Sequence, residues 1–220
     1  VKENVSENNG RLVCAKKICM TITEIDYKVF SQFYTWEQIR IGRMICYRKE
    51  YLPTEFVESI LHLYEMKTKL KGVKGKEVEY LNSKEMLNSC YGMCVTNPLR
   101  DEILCDGETW DVEHLTGEKQ LEMLNKYNDS KNRFLFYPWG VYVTAYARRN
   151  LFTGISECGD DYIYSDTDSV KIMNGDAHKA YFKLYNDLAQ QKLRAACKFH
   201  KIPFEKVEPV TIKGIAKPLG

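Results

Sequence analysis

Apolar residues recur along this chain at two spacings, and the switches between them mark its elements. Residues 12–22 read as a strand. Thr23 is then a helix N-cap, and Ile25, Val29 and Phe33 stand four residues apart over a predicted helix at 24–34. A second extended run covers 42–47. Pro53-Thr54 opens a helix with the apolar stripe Phe56, Ile60, Leu63 and Tyr64, and another helix covers 78–92. Periodicity is lost from 97 to 133, where Gly107 and Gly117 mark turns, so short strands and turns are predicted there in place of a core element. Pro138-Trp139-Gly140 introduces a helix to about 155. Tyr162-Ile163-Tyr164-Ser165 reads as a buried strand with Val170-Lys171-Ile172-Met173 as its return partner. Asn174-Gly175 leads into a long helix, 176–199, with Tyr181, Leu184, Leu188, Ala195 and Phe199 on one face, and 208–215 reads as a last strand.

This order of elements predicts an α+β fold. The 220 residues are 44% hydrophobic and 28% charged, which excludes disordered, collagen-like and coiled-coil classes. Lys and Arg total 32 against 30 Asp and Glu, a formal charge of +2, so bulk charge does not announce a nucleic-acid binder and local patterning must carry any such claim. Five lysines do fall within 67–76, and they read either as phosphate contacts or as the solvated end of a helix. The 97–133 stretch holds nine acidic and five basic residues and is unsuited to DNA by charge.

No apolar run reaches the length of a membrane span, and the polar N-terminus has no secretory core, so a cytoplasmic protein is expected. The first residue is Val1 and the last are Lys217-Pro218-Leu219-Gly220, which reads as a piece cut from a longer protein. Eight cysteines occur without a C-x-x-C pair, so reduced thiols are expected, and the closest spacings, Cys14-x4-Cys19 and Cys90-x3-Cys94, do not support structural zinc.

Two segments carry candidate chemistry. Tyr164-Ser165-Asp166-Thr167-Asp168-Ser169 puts two carboxylates two residues apart at a hairpin connection, where extended backbone would point both the same way, toward one hard cation. The plain alternative is aspartate used for turn chemistry. On the 78–92 helix, Lys84, Asn88 and Tyr91 share one face, a cation, an amide and a ring that suit a nucleotide. The alternative there is a solvated face.

Together, K-x3-N-S-x-Y-G followed by Y-x-D-T-D-S resembles motifs B and C of the family B DNA polymerases, and Thr144-Ala145-Tyr146-Ala147-Arg148 between them is similar to that family's T-x2-G/A-R element. The 97–133 stretch stands where the phage protein-primed subgroup carries its second specific insertion. The resemblance implies a partial palm with the motif C hairpin in an antiparallel sheet, helical fingers and a small β-rich insertion. It divides the chain into a palm-proximal region (1–52), fingers helices with motif B (53–96), the insertion (97–137) and palm (138–220).

It also implies residue roles. Asp168 would bind both catalytic metals, taken as Mg2+, with Asp166 as a supporting ligand. Lys84 would meet the incoming triphosphate, Lys67 would be a second contact to it, Asn88 and Tyr91 would frame sugar and base, and Gly92 would admit close backbone approach. Thr144, Arg148, Tyr164 and Thr167 would lie along the DNA. Primer–template DNA, deoxynucleoside triphosphates and a priming protein are the implied partners, and the bacterial host cytoplasm the implied location. Motif A, the exonuclease acids and the thumb K-x-Y motif are not found, so this chain alone is expected to be inactive. Two rivals stand beside this reading: a nuclease using Asp160, Asp161, Asp166 and Asp168, and a non-enzymatic DNA- or protein-docking module derived from a polymerase.

Overall fold

The computed structural model describes residues 2–8, 11–131, 133, 136–207, 211–212 and 215–216. It is a mixed helix and strand structure whose described strands form four two-stranded antiparallel sheets. The chain divides into two compact units, Val1–Met44 with Tyr142–Gly175, and Ile45–Val141 with Asp176–Gly220.

In the first unit, β1 (Lys2–Asn8) pairs with β2 (Arg11–Ile18). The polar sequence of β1 shows no apolar alternation, and only β2 was expected. Exposed ion pairs, Lys2 with Glu7 and Lys17 with Glu3, both at 3.0 Å, stand in for an apolar face. Helix α1 (Glu24–Phe33) begins as predicted at Thr23, and a capping box forms because Thr23 and Asp26 each accept from the other's backbone amide. Ile25 and Val29 are buried, together with Ala145 and Cys158 of helix α5 (Tyr137–Cys158). Phe33 packs on Phe152 with ring centroids 5.3 Å apart. Strands β5 (Tyr162–Asp166) and β6 (Ser169–Ile172) make the predicted hairpin. It is not the buried strand expected, since Ile163 and Tyr164 are more than half exposed: no second layer covers them among the described residues of this unit. The run expected at 42–47 forms no strand; 34–53 is without regular structure.

In the second unit, helices α2 (Thr54–Leu70) and α3 (Glu77–Val95) pack side by side as a helical hairpin. Gly72 and Gly75 take φ of +76° and +80° in the connection, a conformation glycine adopts without a Cβ penalty. Strands β3 (Glu102–Cys105) and β4 (Trp110–Glu113) are the short strands expected here, and they pair as a hairpin turned at Gly107 (φ +97°). Gly117, expected to mark a turn, instead starts helix α4 (Gly117–Asp129), which the pattern did not predict. Its half-buried residues, Met123 and Tyr127, are too few to announce a helix among polar neighbours.

The long helix α6 (Lys179–His200) is present, but its face is rotated from expectation. Leu184, Leu188 and Phe199 are exposed, while Phe182, Tyr185, Ala189, Leu193, Cys197 and His200 turn inward. Ring contacts and His200's bond to Thr54 (2.9 Å) decide the face, which apolar spacing alone could not. In the 208–215 stretch, backbone strands β7 (Thr211–Ile212) and β8 (Ile215–Ala216) pair, so the single strand expected is two short ones; residues 208–210 and 213–214 lie outside the described residues. Among the described residues, no helix is long and apolar enough to cross a membrane. All eight cysteines are free thiols, and burial pushes those of Cys94 and Cys158 up from their ordinary pKa.

Candidate functional site: an acidic hairpin turn and a polar helix face

The hairpin turn is built on unusual backbone. Asp166 pairs with Ser169 across the ladder, and Thr167-Asp168 makes the two-residue connection. Thr167 sits at φ +48°, a region disfavoured for a β-branched residue and costing on the order of 1–2 kcal/mol. Asp166 holds the turn together. Its carbonyl accepts from the Asp168 amide at 2.6 Å and the Ser169 hydroxyl at 3.1 Å, and its carboxylate accepts from Thr167 Oγ1 at 3.0 Å. The extended geometry expected between the two acids is therefore replaced by a tight turn. Both carboxylates are exposed, and among the described residues neither has a Lys or Arg partner. Tyr164 stands half exposed on the same hairpin with Lys171 Nζ 5.9 Å from its ring centre.

Hard, exposed carboxylate oxygens are the donor set that suits Mg2+. Two of them do not complete a two-metal centre, and among the described residues no group of three or more metal-ligating side chains forms. Asp161 is engaged at the other end of the hairpin, where its carboxylate accepts from Asn174 at 2.7 Å and its carbonyl from the Met173 amide at 2.8 Å. The four acids considered for a nuclease are thus not one cluster.

In the second unit, Lys84, Asn88 and Tyr91 lie on one exposed face of α3, as expected from their spacing, beside the face that Ser83, Leu87, Cys90 and Cys94 turn inward. Among the described residues no side chain pairs with any of the three. Lys67, on α2, lies 5.3 Å from the Tyr64 ring centre. Of the other lysines toward the α2–α3 connection, Lys69 pairs with Glu65 and Lys76 with Glu79, while Lys71 and Lys74 are exposed. A Cβ at Gly92 would meet nothing within 4 Å. The acidic turn belongs to the first unit and the α3 face to the second.

Thr144 and Arg148 sit on α5 within the first unit. Arg148 Nε donates to Asp26 Oδ1 at 2.8 Å, and Asp26 is 3% exposed. Burial raises the Asp26 pKa, but hydrogen bonds from Arg148 and Thr23 and the charge of Arg148 outweigh it and hold the carboxyl below the usual carboxylate range. Sequence reasoning missed Asp26, although Thr23-x-x-Asp26 is a legible capping pattern.

This chain is 27% identical over 159 residues to the DNA polymerase of Bacillus phage B103, covering 72% of the chain and 25% of that protein. It is 28% identical over 152 residues to the DNA polymerase of Bacillus phage Nf, and 33% identical over 90 residues to that of Bacillus phage phi29. The matched part spans a quarter or less of these relatives' lengths. No family model matches the chain, and no solved structure does. The chain is related to phage DNA polymerases.

Proposed function

We propose that this chain carries part of the palm and fingers of a family B, phage-type DNA-directed DNA polymerase. In the intact enzyme, a primer 3′-hydroxyl attacks the α-phosphate of an incoming deoxynucleotide and pyrophosphate leaves. The single observation that carries the reading is the strained turn that displays two exposed carboxylates without a Lys or Arg partner, in a chain similar to polymerases. Backbone strain of this kind persists where a site needs a particular geometry.

Asp168 and Asp166 would hold Mg2+, Asp168 as the principal ligand and Asp166 in support, with a further acid supplied from outside the described set. Bound Mg2+ supplies charge neutralisation and lowers the pKa of the attacking hydroxyl. Asp166 shares its carboxylate with Thr167, which fixes its rotamer. Lys84 would meet the triphosphate as a point charge, Lys67 would add a second contact, and Asn88 and Tyr91 would frame the sugar and base. Thr144, Arg148, Tyr164 and Thr167 would lie along the primer–template. Deoxynucleoside triphosphates, DNA and a priming protein are the partners of this reading, and the bacterial host cytoplasm its location.

The test uses a full-length polymerase bearing this segment. Asp168→Asn is expected to abolish primer extension while the melting temperature is kept, and an active Asp168→Asn enzyme overturns the metal assignment. Lys84→Ala is expected to raise the nucleotide KM roughly tenfold or more, the effect of losing one charged phosphate contact. Unchanged nucleotide kinetics would remove Lys84 from the site.

A further inference from the structure

Arg148 and its neighbour Arg149 differ in what holds them. Arg149 is taken up within its own helix, over the Tyr146 ring at 4.8 Å and on the Asn150 side-chain oxygen at 3.0 Å. Arg148 reaches out of α5 to the first turn of α1 and binds Asp26 through Nε alone, its side chain 42% exposed while that of Asp26 is 5% exposed. Among the described residues nothing else accepts from its terminal nitrogens. A purely structural pair has reason to use the two-pronged guanidinium fork, which is stronger and bidentate. Here one edge is spent and the fork's end is left over.

Asp26 is itself buried and hydrogen-bonded. It accepts from Thr23 Oγ1 at 2.9 Å and from the Thr23 amide at 3.3 Å, so the capping box fixes its rotamer before Arg148 arrives. A second tie, Tyr142 Oη donating to Glu24 Oε2 at 3.0 Å, joins α5 to the same turn of α1. A long, rotamer-rich side chain is thereby anchored at its Nε by a buried carboxylate on a doubly tethered helix start.

We propose that Asp26 is a positioning residue that presents the terminal guanidinium nitrogens of Arg148 to a phosphodiester of bound DNA. This rests on the reading of Arg148 as a DNA contact. The anchor removes the ordering cost that a free arginine meets when it grips a phosphate, and it leaves the planar end matched to two phosphate oxygens.

The experiment titrates the 220-residue chain into a fluorescently labelled primer–template duplex and follows anisotropy, with folding checked by circular dichroism. Arg148→Gln is expected to weaken binding roughly tenfold, the loss of one charge-assisted hydrogen-bond pair. Asp26→Asn keeps the charge of Arg148 and an acceptor for Thr23, yet is expected to weaken binding several-fold. The double variant is expected to be no weaker than Arg148→Gln alone, a non-additivity that a merely structural role of Asp26 would not produce. Asp26→Asn binding like wild type, or a fully additive double variant, overturns the positioning role and leaves the reading of Arg148 standing. Arg148→Gln binding like wild type, or no binding by the unsubstituted chain, overturns that reading and the inference with it. Should either substitution unfold the first unit, Arg148→Lys decides: it keeps the charge but has no separate edge to hold Asp26 while two further nitrogens face a phosphate, so it is expected to bind several-fold more weakly, and wild-type affinity overturns the proposal.

Discussion

At the scale of the residue, three side chains or backbone positions set measurable expectations. Thr167 stands at φ +48° between the two acids. Thr167→Gly relieves that strain and is expected to stabilise the chain by about 1 kcal/mol; an unchanged denaturation midpoint would show that the turn's hydrogen bonds fully offset the strain. Lys201, at φ +58°, ends α6 in a Schellman arrangement in which the Ile202 amide donates to the Cys197 carbonyl at 2.9 Å and the Lys201 amide to that of Lys198 at 3.4 Å. Glycine is the usual residue there, so Lys201→Gly is expected to add roughly 0.5–1 kcal/mol by urea denaturation.

Asp26 gives a pH dependence with a definite sign. Its folded-state pKa is lowered, so the stability it contributes is complete above the unfolded value, about 3.9 for aspartate, and is lost as pH falls through the folded value. Melting temperatures of wild type and Asp26→Asn are therefore expected to differ most near neutrality and to converge on acidification. A gap that stays constant into acid would mean that the carboxylate is not stabilised by folding.

At the scale of the element, the start of α5 lies close against the end of α3 within the second unit. A Cβ at Gly140 would overlap Val95 Cγ1 and touch Cys94 Cβ at 3.4 Å. Gly140→Ala is expected to cost about 1–3 kcal/mol by overpacking, and Val95→Ala in the same chain to recover part of it. Full additivity of the two would place the clash elsewhere.

The helices were legible because caps and period agreed: Thr23, Pro53 and Pro138 each stand at or within the first turn of a real helix. What failed to show is physically of one kind. Strand β1 and helix α4 bury too little to imprint a period, and β1 relies on exposed ion pairs. The inward face of α6 depends on Thr54 and Tyr51, which both meet His200 from far along the chain. The acidic turn and the α3 face were legible as local patterns, whereas Asp26 was not linked to Arg148 because that bond joins residues remote in sequence.

At the scale of the whole molecule, the apolar core is small. The apolar residues buried among those described are Ile25, Val29, Cys94, Ala145, Cys158, Cys197 and Ile202, whereas Ile41, Met44, Ile103 and Trp110 are each 70% or more exposed. Soluble monomers rarely leave contiguous apolar surface in water, so the isolated chain is expected to enhance the fluorescence of an apolar dye and to lose solubility with concentration. A chain that leaves the dye dark has its apolar residues scattered too singly to form a patch.

The proposed chemistry makes a demand of each compact unit by itself, since Asp166 and Asp168 belong to one and Lys84, Asn88 and Tyr91 to the other, and the demand on the acids is the one a metal probe reads directly. Mn2+ can replace Mg2+ at carboxylate and phosphate oxygens and broadens the NMR signals of nearby nuclei. With Mn2+, a deoxynucleoside triphosphate and primer–template present, the amide signals of 166–169 are expected to broaden, while the same sample with Mg2+ keeps them sharp. Asp168→Asn is expected to abolish that broadening, since under the proposal the metal then loses its principal protein ligand. Broadening that survives Asp168→Asn, or none at 166–169, would remove the two acids from the metal site, and the polymerase reading of this chain would fall with that result.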